Sequence, residues 1–229
     1  MATLYNALEK DLRYREGLTA CINCGTCTAI CPAASVWDYD PRLVVDTVQQ
    51  HNEAELEQLL KSDTIWYCGE CLSCKTRCPR GNTPGYIIQA LRALSIETGY
   101  FTESVQGQKQ LAIKRTVGDH ILKYGYCVYI DEVDTDMYPE QGPVWDWLKE
   151  NRQSILQRLG TSYQKKASGT LRQIPQESLN DLQRIFEETG ATERFKKIED
   201  LSAKKAGELG IQFSHGKDDY FQYLYNQQE

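Results

Sequence analysis

The amino-acid sequence predicts a mainly α-helical fold, and three observations support this prediction. Apolar residues recur at every third or fourth position over much of the 229-residue chain, which is the spacing of one helix face. Helix-start signals precede several of these stretches. Four cysteines also recur with an offset of 47 residues, and a helical pattern follows each set. The first part of the chain is therefore predicted to alternate loop, helix, loop, helix.

The cysteine repeat contains three predicted helices. Asp40 followed by Pro41 has the pattern of an N-cap before a first helical turn, and Asn52 supplies a second N-cap before an apolar stripe. A third helix is expected to begin at Pro84, after the second cysteine set, and to end at Gly99, since glycine commonly terminates helices.

Beyond residue 100 the cysteine sets stop but the helical spacing continues. We predict helices within residues 111–122, 144–159, 175–190 and 193–200. Tyr126–Ile130 combines aromatic and β-branched residues, which favours a short strand, and Cys127 within it is expected to be a buried apolar residue. Residues 163–170 are predicted to be a basic connection. The last segment, 213–229, is polar but carries five aromatic rings, so we expect it to dock on a partner protein.

Charge and composition exclude several function classes. A net charge of -6 and a sequence pI near 5.3 argue against nucleic-acid binding, which depends on clustered Lys and Arg. The amino-terminal segment lacks the apolar run of a secretory signal, and no stretch is long enough to span a membrane. Neither a G-x-G-x-x-G motif nor a Walker loop is present. We therefore expect a cytoplasmic protein with no membrane span and no nucleic-acid partner, which performs no substrate chemistry by itself.

Each cysteine set matches C-x2-C-x2-C-x3-C-P, a pattern typical of proteins that bind two [4Fe-4S] clusters. In this pattern a tight loop supplies three thiolates to one cluster, and the fourth cysteine reaches the other cluster. By analogy with two-cluster ferredoxins, we assign Cys21, Cys24, Cys27 and Cys78 to cluster 1, and Cys68, Cys71, Cys74 and Cys31 to cluster 2. This exchange of the fourth ligand brings the clusters close together, which suits electron transfer.

Two alternatives for the cysteines stay open. Two structural zinc sites would make the chain a zinc-stabilised interaction module, although zinc sites typically use two separated C-x2-C pairs. The other alternative is a cluster with a purely structural or redox-sensing role. Within the loops, Gly25 and Gly69 are expected to let backbone N–H groups approach a cluster, and Lys75, Arg77 and Arg80 to raise the potential of cluster 2.

The segments ACINCGTCTAICP and IWYCGECLSCKTRCPRG resemble the two cysteine motifs of the C-type subunits of heterodisulfide reductase. The resemblance covers about the first 100 residues and implies an α-helical ferredoxin domain with two [4Fe-4S] clusters at 1–102. The residues beyond it predict a helical C-terminal extension at 103–212 and an aromatic, partner-docking tail at 213–229. The resemblance also implies an electron-transfer subunit of an oxidoreductase complex in sulfur metabolism. Such a subunit relays electrons between a flavin-containing A-type subunit and a B-type subunit with Cys-Cys-Gly motifs.

The same helical module occurs in iron-sulfur subunits of succinate dehydrogenase and in glycolate oxidase relatives. The first type also needs a plant-type [2Fe-2S] domain and the second continues into Cys-Cys-Gly domains, and the sequence contains neither. Chains as long as this one resemble the C-type subunits of heterodisulfide-reductase-like complexes of sulfur-oxidising bacteria. That resemblance implies a lipoate-binding protein as a further partner through the complex.

Overall fold

The computed structural model describes residues 3–133, 135 and 141–226, so the last three residues of the predicted tail lie outside the described ranges. The chain divides into two compact units, Met1–Gln108 and Lys109–Glu229. Helices and turns account for the regular structure in the described ranges, which contain no strand. The mainly α-helical fold is therefore confirmed. None of the described helices is long and apolar enough to cross a membrane.

The first unit contains seven helices within its described residues. They are α1 (Leu4–Leu8), α2 (Leu12–Gly17), α3 (Thr26–Ala29), α4 (Pro41–Gln49), α5 (Glu53–Lys61), α6 (Pro84–Thr98) and α7 (Val105–Gln108). Short 3-10 turns lie at Ala33–Ser35, Thr64–Trp66, Lys75–Arg77 and Tyr100–Glu103. The three predicted helices of the repeat correspond to α4, α5 and α6. The sequence pattern does not predict α1 and α2, because helices this short show little periodicity.

Local capping explains where α4 and α5 begin. The Asp40 carboxylate accepts hydrogen bonds from the second and third N–H groups of α4 at 2.9 and 3.3 Å. The Asn52 side-chain oxygen does the same for α5 at 3.1 and 3.4 Å. At the other end of the unit, Gly99 has φ +85° and terminates α6 in the left-handed conformation that glycine adopts readily. The predicted caps are confirmed.

Helix α6 forms the centre of the first unit and packs against α1, α2, α4 and α5. Its apolar face is almost completely buried through Ile87, Ile88 and Leu91. Gly17 at the end of α2 allows the two helices to approach closely, because a Cβ there would lie 3.0 Å from an Ile87 carbon. The Thr83 N–H donates to the Gly17 carbonyl at 2.7 Å. This contact fixes the start of α6 beside the first cysteine loop.

The second unit is also helical. Its described helices are α8 (Gln110–Ile113), α9 (Asp119–Tyr124), α10 (Gly142–Glu150), α11 (Arg152–Arg158), α12 (Gln176–Glu188), α13 (Ala191–Leu209) and α14 (Asp219–Asn226). A π-helical turn at Lys114–Gly118 joins α8 to α9. The helix predicted within 144–159 is divided at Asn151 into α10 and α11, and the one predicted within 193–200 is longer and forms α13.

The predicted strand at Tyr126–Ile130 is wrong. Instead, the segment is irregular: the rings of Tyr124 and Tyr129 stack with centroids 4.1 Å apart, and Ile130 is buried among side chains of its own unit. The described residues supply no neighbouring strand, and a strand without a partner is not stable. Cys127 is exposed, so its predicted burial is wrong too.

The tail segment packs within the second unit more closely than its polar composition suggests. In α14 the side chains of Tyr220, Phe221 and Leu224 are buried, and Phe221 packs against Ala112 of α8. Arg115 holds the preceding turn, because its guanidinium donates to the carbonyl oxygens of Ser214 and Gly216 at 2.8 and 2.7 Å. Most rings of this segment therefore contribute to the fold.

Candidate iron-sulfur sites

Two cavities in the first unit are lined by cysteines. The first cavity contains Cys21, Cys24 and Cys27 from the first motif together with Cys78 from the second. The second cavity contains Cys68, Cys71 and Cys74 from the second motif together with Cys31 from the first. All eight cysteines of the two motifs lie in one of these two groups. The exposed Cys127 lines neither cavity.

The two cysteine loops repeat the same backbone turn. Asn23 and Glu70 occupy equivalent positions and both adopt the left-handed conformation, with φ of 55° and 54°. Their N–H groups each donate to the sulfur of the first cysteine in the loop, Cys21 or Cys68, at 3.4 Å. A backbone donor therefore points at a sulfur atom in both cavities, as is common around protein-bound clusters.

A second left-handed position lies between the second and third cysteines of each loop. Gly25 occupies it in the first loop with φ +76°, and Leu72 occupies it in the second with φ +58°. A left-handed backbone conformation is unfavourable for leucine. The Leu72 side chain packs on Gly85, and a Cβ at position 85 would lie 2.8 Å from a Leu72 methyl carbon. The expected role of Gly25 in shaping the loop fits this geometry. Gly69 does not have a positive φ, so it is not the counterpart of Gly25.

The thiols at the rim and inside each cavity have different environments. Cys24 and Cys71 are exposed, and hydrogen bonding to the hydroxyls of Thr26 and Ser73, at 3.3 and 3.4 Å, lowers the pKa of each thiol. In contrast, burial raises the pKa values of Cys27, Cys68 and Cys74. Each cavity therefore has thiols whose deprotonated form is disfavoured by burial until a positively charged metal group binds.

Side chains from α4 and α6 hold the first cysteine of each loop in place. The Gln49 amide accepts from the N–H of Cys21 at 2.6 Å and donates to its carbonyl oxygen at 3.2 Å. In the other half, the Arg92 guanidinium donates to the carbonyl oxygens of Trp66 and Cys68 at 2.9 and 2.6 Å. Neither residue was identified from the sequence, because both lie far from the cysteines along the chain.

A second pair of contacts repeats in the same way. The Asn23 amide donates to the Asp46 carboxylate at 2.6 Å, and the Gln89 amide donates to the Glu70 carboxylate at 3.2 Å. In each half, the residue at the loop's first left-handed position is thus linked to the helix that follows its motif. The two sites share one scaffold built from different side chains.

The basic residues are distributed differently from the expectation. Arg80 lines the first cavity, where Arg42 joins it, so its charge is closest to Cys21, Cys24, Cys27 and Cys78 rather than to the second set. Lys75 lies over the ring of Tyr86, with 5.2 Å from its nitrogen to the ring centroid. The assignment of Arg80 to the second cluster is therefore wrong.

The residues present fit two iron-sulfur clusters. Each cavity gathers four thiols, which are the soft ligands that such clusters use, and directs a backbone N–H at one of the sulfurs.

Comparison with known proteins identifies the same cofactors. The family model of a 4Fe-4S dicluster domain matches residues 17–82, a range that contains all eight cavity cysteines. The cofactors of the chain are two [4Fe-4S] clusters, and each cluster of this type accepts and releases single electrons when bound.

Among curated proteins, the chain is similar to the C-type subunit of the ferredoxin:CoB-CoM heterodisulfide reductase of Methanosarcina acetivorans. The two are 35% identical over 198 residues, which are 86% of this chain and 72% of the relative. Because 198 residues exceed the length of the first unit, the match extends into the second unit. A long chain is therefore compatible with similarity to a methanogen protein.

Two further relatives match over a shorter region. They are C-type iron-sulfur subunits of the CoB–CoM heterodisulfide reductases of Methanopyrus kandleri and Methanocaldococcus jannaschii, and they are 32% and 34% identical to this chain over 113 residues. These matches cover 49% of this chain and 53% and 54% of the relatives. With two cavities that share cysteines between motifs and a match over most of its length, the chain belongs to the family of C-type subunits of heterodisulfide reductase.

Proposed function

We propose that the chain relays single electrons between two partner proteins and performs no substrate chemistry itself. The observation that carries this proposal is the sharing of cysteines, since each four-thiol cavity draws on both motifs. Ligands shared in this way keep two redox centres close together within one rigid unit. The family membership and its iron-sulfur cofactors support electron transfer as the role of the chain.

The proposed ligand sets follow the two cavities. Cys21, Cys24, Cys27 and Cys78 would hold cluster 1, and Cys68, Cys71, Cys74 and Cys31 would hold cluster 2. The exposed positions of Cys24 and Cys71 support entry and exit of electrons at two separate rims, because these thiols are the parts of each set nearest to solvent. The contacts of Gln49 and Arg92 would keep Cys21 and Cys68 in fixed positions during repeated electron transfer.

The proposed partners are a flavin-containing A-type subunit and a B-type subunit with Cys-Cys-Gly motifs, with a lipoate-binding protein as a further partner through the complex. We place this assembly in the cytoplasm. The tail at 213–229 is proposed as a docking segment. Since Tyr220 and Phe221 are buried, its exposed Tyr223 is the ring best placed for such a contact.

The ligand assignment can be tested with single substitutions in protein purified without oxygen. Wild-type protein is expected to contain about eight irons per chain and two reduced-cluster signals in electron paramagnetic resonance (EPR) spectra. Cys24→Ser and Cys78→Ser should alter the same signal, because both residues line the first cavity. Cys71→Ser and Cys31→Ser should alter the other signal. Cys127→Ser is the matched control and should leave both signals unchanged.

The result that contradicts the assignment is equally specific. If Cys78→Ser altered the same signal as Cys71→Ser, each motif would hold its own cluster. Redox titration then tests the relay: both clusters should be reduced reversibly by one electron. Clusters that cannot be reduced in this way would have a structural role, and a colourless protein that contains zinc would exclude the proposal. Copurification of the flavin-containing and Cys-Cys-Gly subunits would support the proposed partners.

A further inference from the structure

One buried polar group in the second cavity has no partner. Tyr39 lines this cavity together with Cys31 and Cys68, and its side chain is only 4% exposed. Its hydroxyl oxygen is buried and makes no hydrogen bond to a protein group in the described structure. Leaving a buried hydroxyl unpaired costs about 1–3 kcal/mol, so such groups usually have a partner in the functional protein.

Cys68 is the cavity cysteine with the strongest interaction with this hydroxyl. Burial raises the pKa of the Cys68 thiol, and the Tyr39 hydroxyl opposes that rise. Burial also raises the pKa of Tyr39 itself, with a further contribution from the adjacent Cys68. A tyrosine hydroxyl is an O–H donor at neutral pH, and in the described structure this one lies in the cavity without a hydrogen-bond partner of standard geometry.

The ring of Tyr39 is held in place by its neighbours. It packs edge-on against the ring of Tyr67 with centroids 6.4 Å apart, and Tyr67 stacks on Trp37 at 5.0 Å. The Tyr39 N–H donates to the Trp37 carbonyl at 2.8 Å. Since both ring and backbone are restrained, the hydroxyl remains beside the cysteine sulfurs of the second cavity.

Among the described residues, the first cavity has no unpaired buried hydroxyl at the position equivalent to Tyr39. Tyr39 precedes the N-cap of α4, and the residue that precedes the N-cap of α6 is Asn82, which lines the first cavity and is 2% exposed. The Asn82 side chain is occupied by the first loop: it accepts from the Thr19 N–H at 2.8 Å and donates to the Ala20 carbonyl at 3.0 Å. An unpaired side-chain donor at this position is thus present in one site and absent from the other.

We propose that Tyr39 is a positioning residue that donates a hydrogen bond to a cysteine sulfur of cluster 2 and so raises the reduction potential of that cluster alone. A hydrogen bond to sulfur stabilises the more negative, reduced state, which makes reduction easier. The proposal rests on the ligand set Cys31, Cys68, Cys71 and Cys74 given above. It gives cluster 2 a hydroxyl donor that cluster 1 lacks at the equivalent position.

The test is a redox titration of Tyr39→Phe, monitored by EPR in the full-length chain. Phe keeps the ring packing and removes only the donor. At a fixed potential, the reduced-to-oxidised ratio of cluster 2 should fall about tenfold, which for a one-electron couple is about 59 mV. The ratio for cluster 1 should not change. Tyr5→Phe is the matched control, because the Tyr5 hydroxyl bonds to the Val48 carbonyl at 3.0 Å and lines neither cavity.

Three outcomes would overturn the proposal: no shift in Tyr39→Phe, an equal shift of both clusters, or a shift confined to the signal altered by Cys24→Ser. If the Tyr39→Phe variant binds only one cluster, the same redox titration is made on wild-type protein labelled with 3-fluorotyrosine. The label makes the phenol more acidic, so the phenol donates a stronger hydrogen bond. The label should raise the potential of cluster 2, and no rise would refute the role of Tyr39. Failure of the ligand assignment is recognised separately, by the iron content and signals of the cysteine variants.

Discussion

Gln49 and Arg92 occupy equivalent positions in the two halves of the first unit. Gln49 lies in α4 and bonds to both the N–H and the carbonyl oxygen of Cys21, whereas Arg92 lies in α6 and bonds to the carbonyl oxygen of Cys68. Arg92 also donates to the carbonyl of Ile65 at 2.7 Å, so it supports a longer stretch of backbone than Gln49 does. The second loop therefore depends on a cation where the first depends on an amide.

We predict that Arg92→Gln destabilises the protein by about 2–4 kcal/mol, because hydrogen bonds from a charged donor to carbonyl oxygens would be lost. The guanidinium is largely buried, with 17% of its side chain exposed, which limits replacement of these bonds by water. The free energy of unfolding should be measured for the cluster-loaded protein by guanidinium titration without oxygen.

Arg13→Gln is the control for this substitution. Its guanidinium bonds to Asp11 alone among the contacts seen in the described structure, and its side chain is 37% exposed, so the expected loss is less than about 1 kcal/mol. An equal loss of unfolding free energy in Arg92→Gln and Arg13→Gln would contradict a stabilising role for the carbonyl contacts of Arg92.

We predict opposite effects for two glycine-to-alanine substitutions. At Gly107 a Cβ would lie 2.4 Å from the carbonyl oxygen of Phe101, so Gly107→Ala should destabilise by about 1–3 kcal/mol through backbone displacement. Gly207 lies within α13 and its Cβ would meet nothing within 4 Å. Gly207→Ala should therefore stabilise by about 0.5–1 kcal/mol, since alanine favours the helix. Thermal unfolding would measure both, and a stable Gly107→Ala protein would contradict the close contact.

The ion pair between Arg115 and Glu199 should make stability depend on pH. Burial opposes ionisation of Glu199, but hydrogen bonds from Arg115 and Lys114 outweigh it and hold its pKa below the ordinary value of 4.5. A carboxylate with a lowered folded-state pKa contributes stability that is complete above about pH 4.5 and is lost as the pH falls through the folded-state pKa. We therefore predict that Glu199→Gln costs about 1–3 kcal/mol at pH 7 and less in acid.

The measurement is the difference in the free energy of unfolding between wild type and Glu199→Gln at each pH. Loss of the clusters in acid then affects both proteins alike. Glu208→Gln serves as the control, because Glu208 is exposed and lies 3.9 Å from Lys204 and Lys205. Its expected effect is less than about 0.5 kcal/mol at any pH. A Glu199→Gln difference that stays constant from pH 7 to pH 4 would contradict the assigned pKa direction.

Two substitutions in α14 separate folding from docking. Phe221→Ala should destabilise by about 3–5 kcal/mol, because its ring is 1% exposed and packs in the second unit. Tyr223→Ala should change stability by less than about 1 kcal/mol, since this side chain is 36% exposed. If the tail docks as proposed, Tyr223→Ala weakens capture of a partner protein in copurification. Undiminished capture would remove the docking role from this ring.

The sequence predicted those features that depend on neighbours in the chain. The caps at Asp40 and Asn52 are local, and so are the cysteine loops whose spacing indicated the clusters. The offset of 47 residues is correct for the cysteines, but it pairs Gln49 with Ile96 instead of Arg92. The helices after the two motifs begin at different distances from them, so aligning Pro41 with Pro84 would have revealed the Gln49 and Arg92 pair.

Other features depend on contacts that sequence patterns do not encode. Cys127 lies among apolar and aromatic residues, yet no described element covers it, so local composition gave the wrong burial. The polar composition of the tail indicated exposed rings at Tyr220 and Phe221, but both are buried in α14. Their burial requires packing against α8, more than a hundred residues earlier in the chain. Long-range packing of this kind is set by the tertiary fold.

The attachment of α14 to α8 also governs the order in which the two units can form during synthesis. The core of the first unit is complete once residue Gln108 has left the ribosome, since all its helices precede that point. The second unit cannot bury Ala112 until Phe221 has been synthesised. The packing of α8 is therefore completed only after α14 has left the ribosome. Synthesis of the chain therefore completes both cysteine loops well before the second unit can finish folding.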